Sequence, residues 1–189
     1  MGIIRPSPKG KLIVGLLAGD ADMLREACRR LKREFGEIDL HSECWSFEAT
    51  EYYRQELGDD ILRQFVSFKS LVTPDRLAEI KRTTNDIEQR FCDDLVVPSD
   101  ARLVNIDPGV ITLAKLMLAT TKDHAHRIYL GQGIHAEVTL RYVDGTWTPW
   151  PWTYPDYAAA TYHPFFDQVR EVLKGQYRDA GDSASHVPP

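Results

Sequence analysis

The chain has 189 residues, with 23 Lys plus Arg against 28 Asp plus Glu and a formal net charge of −5 at pH 7. That length fits one domain of ordinary size, and the acidic balance argues against nucleic acid as an obligatory partner. No apolar run reaches the roughly 20 residues of a membrane span, and the opening MGIIRPSPKGK lacks the apolar core of a secretory signal. Three cysteines, Cys28, Cys44 and Cys92, fit neither a disulfide framework nor a paired-cysteine zinc site. The expectation is a soluble cytoplasmic protein: a flexible segment 1–10, a single α+β domain over 11–177 and a disordered tail 178–189.

Residues 11–18, KLIVGLLA, form an unbroken apolar run, as a strand covered on both faces does. From Ala21 to Phe35 the residues Leu24, Ala27, Cys28, Leu31 and Phe35 recur at helical spacing. Asp20 is placed to cap that helix and Gly36 to end it. Residues 39–47 read as a strand, 51–57 as a short inserted helix and 61–71 as a further strand, with Leu62, Val66 and Phe68 on one side. Thr73-Pro74-Asp75 is a helix opening, threonine capping and proline taking the first turn; Leu77, Ile80, Ile87 and Phe91 mark the stripe that follows. With a short strand at 102–106 the first half has the βαββαβ order of ferredoxin-like folds.

Asp107-Pro108-Gly109 reads as the capped start of a second helix, 110–119, apolar almost all round and therefore buried, with Lys115 its one charge. Residues 127–141 alternate on either side of Gly131-Gln132-Gly133, the pattern of a β-hairpin. A proline-stiffened aromatic strap, 147–157, leads to a closing amphipathic helix at about 164–177. The expected fold is thus a mainly antiparallel sheet with ferredoxin-like order, extended by a buried helix, a hairpin and a C-terminal helix.

Four segments, IKRTTNDIE at 80–88, VNIDPG at 104–109, ATTKDHAHRIYLGQGIHAEVTL at 119–140 and WTYPDY at 152–157, resemble an uncharacterised bacterial family, domain of unknown function 4416. The resemblance runs from about Lys11 to Tyr177 and implies no established activity, substrate or catalytic residue. Some similar proteins bear a GTP-binding label. The one glycine-rich strand-to-helix turn here, Gly15 to Asp20, has neither the Gly-Lys-Ser/Thr end of a phosphate-binding loop nor a GxGxxG pattern, which argues against a GTPase of that type.

The densest polar cluster runs from Thr120 to Arg127. If the buried helix continues to Lys122, then Lys115 and Lys122 share a face about 10.5 Å apart along the axis. With Thr121 they would grip a phosphate or carboxylate; in the plainer alternative Lys115 snorkels and Lys122 answers the helix dipole. A three-residue hairpin loop would pair Leu130 with Ile134 and Arg127 with Glu137, putting Arg127, Tyr129, His135, Glu137, Thr139 and Arg141 on a polar face. The Arg–Glu pair reads either as solvated trim or as part of a site. In the second case Arg127 anchors a ligand while His124, His135 and Glu137 move protons. His124 and His126 have a spacing metals use, but no third ligand is fixed, and no metal or cofactor is assigned. Trp150 and Trp152 would cover a sheet edge or close over a ligand as a lid.

The expectation drawn from this concentration is an enzyme or binding protein for an anionic small molecule, phosphorylated or nucleotide-like. The alternative is a non-catalytic interaction or regulatory module that uses the strap or a sheet edge to hold a protein partner or a second copy.

Overall fold

The computed structural model describes residues 3–48, 57, 60–96 and 102–181. Its strands are β1 (Gly10–Ala18), β2 (Ile38–His41), β3 (Trp45–Ser46), β4 (Leu62–Val72), β5 (Val104–Ile111), β6 (Lys115–Thr120), β7 (Ile128–Gly131), β8 (Ile134–Val143) and β9 (Thr146–Pro149). All belong to one antiparallel sheet in the order β2-β4-β1-β5-β6-β8-β7, with β3 on β4 and β9 on β8. The helices are α1 (Ala21–Phe35), α2 (Leu77–Asp94), α3 (Pro155–Ala158) and α4 (His163–Asp179). The expected inserted helix at 51–57 falls, but for Leu57, outside the described residues.

The continuous apolar run of β1 is explained by burial on both faces. Leu12, Val14 and Leu16 pack under α1 and α2 with Ile80, Ile87 and Phe91. On the other face Ile13 packs with Phe65, Phe166 and Val169 under α4. Helix α1 begins as expected, Asp20 Oδ1 accepting from Met23 N at 2.8 Å, and stops at Gly36 with φ 91°. Thr73 does not cap with its side chain: a single 3-10 turn, Pro74–Arg76, precedes α2.

The largest departure from expectation lies at 107–120. No helix forms there; β5 runs through Asp107-Pro108-Gly109 to Ile111, a turn at 112–114 reverses the chain, and β6 follows. Thr112 Oγ1 accepts from the amides of Ala114 and Lys115 at 3.3 and 3.2 Å, closing that turn. A uniformly apolar decapeptide suits a strand buried on both faces as well as a buried helix, and periodicity cannot separate them. Asp107 is therefore no N-cap.

The hairpin pairs Ile128 with Ala136 and Tyr129 with His135, as expected. Leu130 bulges, however, so Gly131 pairs with Ile134. The turn is then two residues, Gln132 and Gly133, both at positive φ (57° and 76°), as a type I′ hairpin requires.

Candidate functional site

Strand β5 pairs with β1 along its whole length but with β6 only from Gly109 to Ile111. Residues 104–108 therefore leave an edge that no strand among the described residues covers. Helix α2 fills the missing backbone partners: Glu88 Oε1 accepts from Ile106 N at 2.6 Å, and Lys81 Nζ donates to Ile106 O at 2.8 Å. By alternation along the strand, Pro108 turns its nitrogen to the same edge as Ile106, where its missing N–H deprives no ladder.

Register places the side chains on the α4 face of the sheet. Gly15 stands between Phe65 and Asp107, and Leu17 between Arg63 and Asn105. Gly15 is small because the space above it is taken: a Cβ there would lie 2.9 Å from Tyr157 Oη and 3.1 Å from Arg63 Nη1. Lys81 reaches Asp107 Oδ1 at 3.2 Å, and Asn105 Nδ2 donates to Asp107 Oδ2 at 2.5 Å. Burial alone would raise the Asp107 pKa, but the charges of Lys81 and Arg63 and the hydrogen bonds from Asn105 and Lys81 hold it below the ordinary carboxylate value. For Glu88 the balance goes the other way, burial outweighing Lys81 and Arg102 and pushing its pKa up.

Arg63 is 3 % exposed and donates through Nη2 to Asp156 Oδ2 at 2.6 Å. Its Nε and Nη1 are buried and meet no acceptor in good hydrogen-bond geometry among the described residues, although the Tyr162 hydroxyl stands close enough to feel the guanidinium. The rings of Phe47, Phe65 and Tyr157 lie 5.0, 5.4 and 5.6 Å from its Cζ. These π faces balance the charge without offering the in-plane acceptors that a guanidinium fork matches.

A second cluster adjoins the first through residues 152–157. Arg127 donates from Nε to Glu137 Oε2 at 2.8 Å, from Nη1 to Lys122 O at 2.9 Å and from Nη2 to Tyr154 Oη at 2.7 Å. His126 Nε2 meets Glu137 Oε2 at 3.1 Å, and Thr139 Oγ1 lies 3.4 Å from Oε1. Trp152 stacks on His126 with centroids 5.2 Å apart. The segment WTYPDY thus touches His126 with Trp152, Arg127 with Tyr154 and Arg63 with Asp156.

The sequence-derived candidates divide accordingly. Arg127, Glu137 and Trp152 come together, but the Arg–Glu pair is not solvated trim: its side chains are 3 % and 1 % exposed. Of the expected polar face, Arg127, Glu137 and Thr139 are turned inward, while Tyr129 is exposed together with Ile128 and Leu130. Each of the three guanidinium nitrogens of Arg127 has a protein acceptor, which makes it a brace more than a ligand anchor. His135 is not joined to Glu137; its Nε2 faces Asp123 Oδ1 at 3.5 Å, and its ring lies against Tyr129. Trp150 stacks on Trp152.

Lys115 begins β6 opposite Arg141. Five residues at about 3.3 Å each separate it from Thr120, so Lys115 and Lys122 share no helix face. Thr121 and Lys122 sit in an exposed turn with His124. No group of three or more His, Cys, Asp or Glu able to hold a metal occurs among the described residues.

Sequence reasoning missed Arg63, Lys81, Glu88 and Asp156. Arg63 carried one readable signal: it is a charged residue in phase with Phe65 on the strand face opposite Leu62 and Val66.

Fold and site define an antiparallel α+β protein in which β5 leaves β6 before Gly109 beside a cluster of paired buried charges, with an aromatic strap packed against both clusters. Segments 80–88 and 104–109 meet through Lys81, Glu88, Ile106 and Asp107, and segments 119–140 and 152–157 through Arg127 and Tyr154. A family model described as a domain of unknown function, DUF4416, matches residues 8–173, and the chain belongs to that family. No curated protein and no solved structure matches it. No helix among the described residues is long and apolar enough to cross a membrane.

Proposed function

We propose that the protein binds an anionic small molecule bearing hydroxyl groups, of the sugar-phosphate kind, at the charged cluster of Arg63 and Asp107 beside β5. The observation that carries this reading is Arg63, whose Nε and Nη1 are buried beside Asp107 without acceptors in good hydrogen-bond geometry among the described residues. Buried donors left unmatched cost free energy that an oxyanion's acceptors recover. Asp107, kept ionised, accepts from hydroxyl groups. A carboxylate with a lowered pKa is a weak base at neutral pH, so the geometry favours binding over proton transfer, and His124, His135 and Glu137 take no catalytic part in this reading. A cytoplasmic setting, in keeping with three free thiols, belongs to the same proposal.

Thermal unfolding of the full chain with ribose 5-phosphate, inorganic phosphate and citrate tests it, since a ligand selective for the folded state raises apparent stability. A rise in Tm with the phosphate ester, lost in a folded Arg63→Lys variant, is the expected result. No rise with any of the three, or an equal rise in the variant, overturns it.

One observation favours a second reading. Strand β7 ends the sheet, and its Ile128, Tyr129 and Leu130 are 71, 61 and 40 % exposed. A bare apolar edge is a template for pairing with another chain. A dimer mass that becomes monomeric in Ile128→Lys supports that reading, and a monomer at high concentration ends it.

A further inference from the structure

Trp150, Trp152, His126 and His124 form a single column of nearly parallel rings. Successive centroids are 5.1, 5.2 and 5.9 Å apart, with interplanar angles of 4°, 13° and 3°. One end is closed, because the Arg141 guanidinium lies over Trp150, its carbon 4.7 Å from the ring centroid. The other end is His124, which is exposed in the turn before β7 and has no second ring stacked on it among the described residues.

The column is held by directed bonds. Trp152 Nε1 donates to Val138 O at 3.2 Å, and His126 Nε2 is tied to Glu137. Trp150 N donates to Thr153 Oγ1 at 2.8 Å, and that hydroxyl donates to Thr139 O at 2.5 Å. A cover over the sheet accounts for the two tryptophans, whose flat faces shed water. It does not account for a stack that continues through two imidazoles and ends in solvent. A rigid stack sealed at one end and open at the other is preorganised for one more planar layer, and stacking on such a face tolerates any ring with a π surface.

We infer that the outer face of His124 is a stacking subsite for a planar nitrogen heterocycle, of the size and type of a nucleobase. The subsite stands apart from Arg63: it needs no charge on the ligand, and its geometry does not involve the cluster around Asp107.

Adenosine, a ring without phosphate, is the probe, titrated into the full chain and followed by the ring-current shift of the His124 Hε1 resonance. The expected result is a saturable upfield shift. Dialysis should give an affinity about tenfold weaker in His124→Ala and near the native value in His124→Phe, which keeps a ring. An exposed turn residue tolerates both changes. No shift at millimolar adenosine, or equal affinity in His124→Ala, overturns the inference. Binding of adenosine that persists in Arg63→Lys, where ribose 5-phosphate gives no rise in Tm, leaves the subsite standing whatever becomes of the proposed anion site.

Discussion

Arg127 and Glu137 face each other across the base of the β7–β8 hairpin, Nε 2.8 Å from Oε2, with both side chains almost wholly enclosed. The pair ties three separate pieces of chain together, since Arg127 also holds Tyr154 and the Lys122 carbonyl while Glu137 holds His126. Removing Glu137 leaves a guanidinium buried without its counter-charge, and burial works against that charge. Glu137→Ala should therefore cost about 3–5 kcal/mol by urea unfolding, the scale for breaking an enclosed pair. A loss below about 1 kcal/mol would return the pair to the class of solvated surface bridges.

Gly15 leaves room for Arg63 and Tyr157. In Gly15→Ala the new methyl meets Tyr157 Oη at 2.9 Å and Phe65 Cε1 at 3.0 Å, so the tightly packed core must shift, at about 1–3 kcal/mol. The phosphate-ester response proposed for the Arg63 cluster should be lost at the same time. Unchanged unfolding together with an unchanged response would show that the contact is not tight.

Glu88 gives a pH signature. Its folded pKa is raised above the ordinary 4.5, chiefly by burial, so the folded state binds the proton more strongly than the unfolded chain. Its stabilising contribution is full below pH 4.5 and is lost as pH rises through the folded value. Urea unfolding between pH 4 and 8 should show the wild type losing ground to Glu88→Gln as pH rises. Asp107, with its pKa lowered from 3.8, acts in the opposite sense: its contribution is present above pH 3.8 and disappears as pH falls through the folded value. A wild-type-to-Gln difference independent of pH would rule out the raised value for Glu88.

Lys11 is fully enclosed and is bound by Asp39 and by the Phe68 carbonyl at 2.5 Å. Burial lowers its pKa against the pull of Asp39. Asp39→Ala strands that ammonium and should cost about 3–5 kcal/mol, whereas the double change Lys11→Met, Asp39→Leu should come within about 1 kcal/mol of the wild type or exceed it. Equal losses in the single and double variants would mean that shape, not charge, fixes this corner.

Much of the fold was legible in the sequence where the signal is local. The both-faces-buried β1, the Asp20-capped α1, the hairpin and α4 each announce themselves through period, cap or turn chemistry within a dozen residues. The candidate site was legible only in pieces. Arg127 and Glu137 were paired correctly by hairpin register, yet their burial depends on a strap that arrives some fifteen residues later. Asp107 drew notice for the wrong reason, as a cap, because Asp-Pro-Gly has the same local chemistry at a helix start as at a strand whose ladder is interrupted.

Alternation, capping and turn chemistry, which act between neighbours in the chain, were enough to establish a mainly antiparallel α+β protein, and the family resemblance drew attention to four of its segments. Only the folded chain decided that residues 110–119 are two strands, that β5 parts from β6, and that Arg63, Lys81 and Asp156 meet around Asp107. The last of these outcomes rests on contacts between residues 26 to 93 positions apart, where packing of distant surfaces, not local propensity, selects among conformations that the sequence pattern leaves equally open.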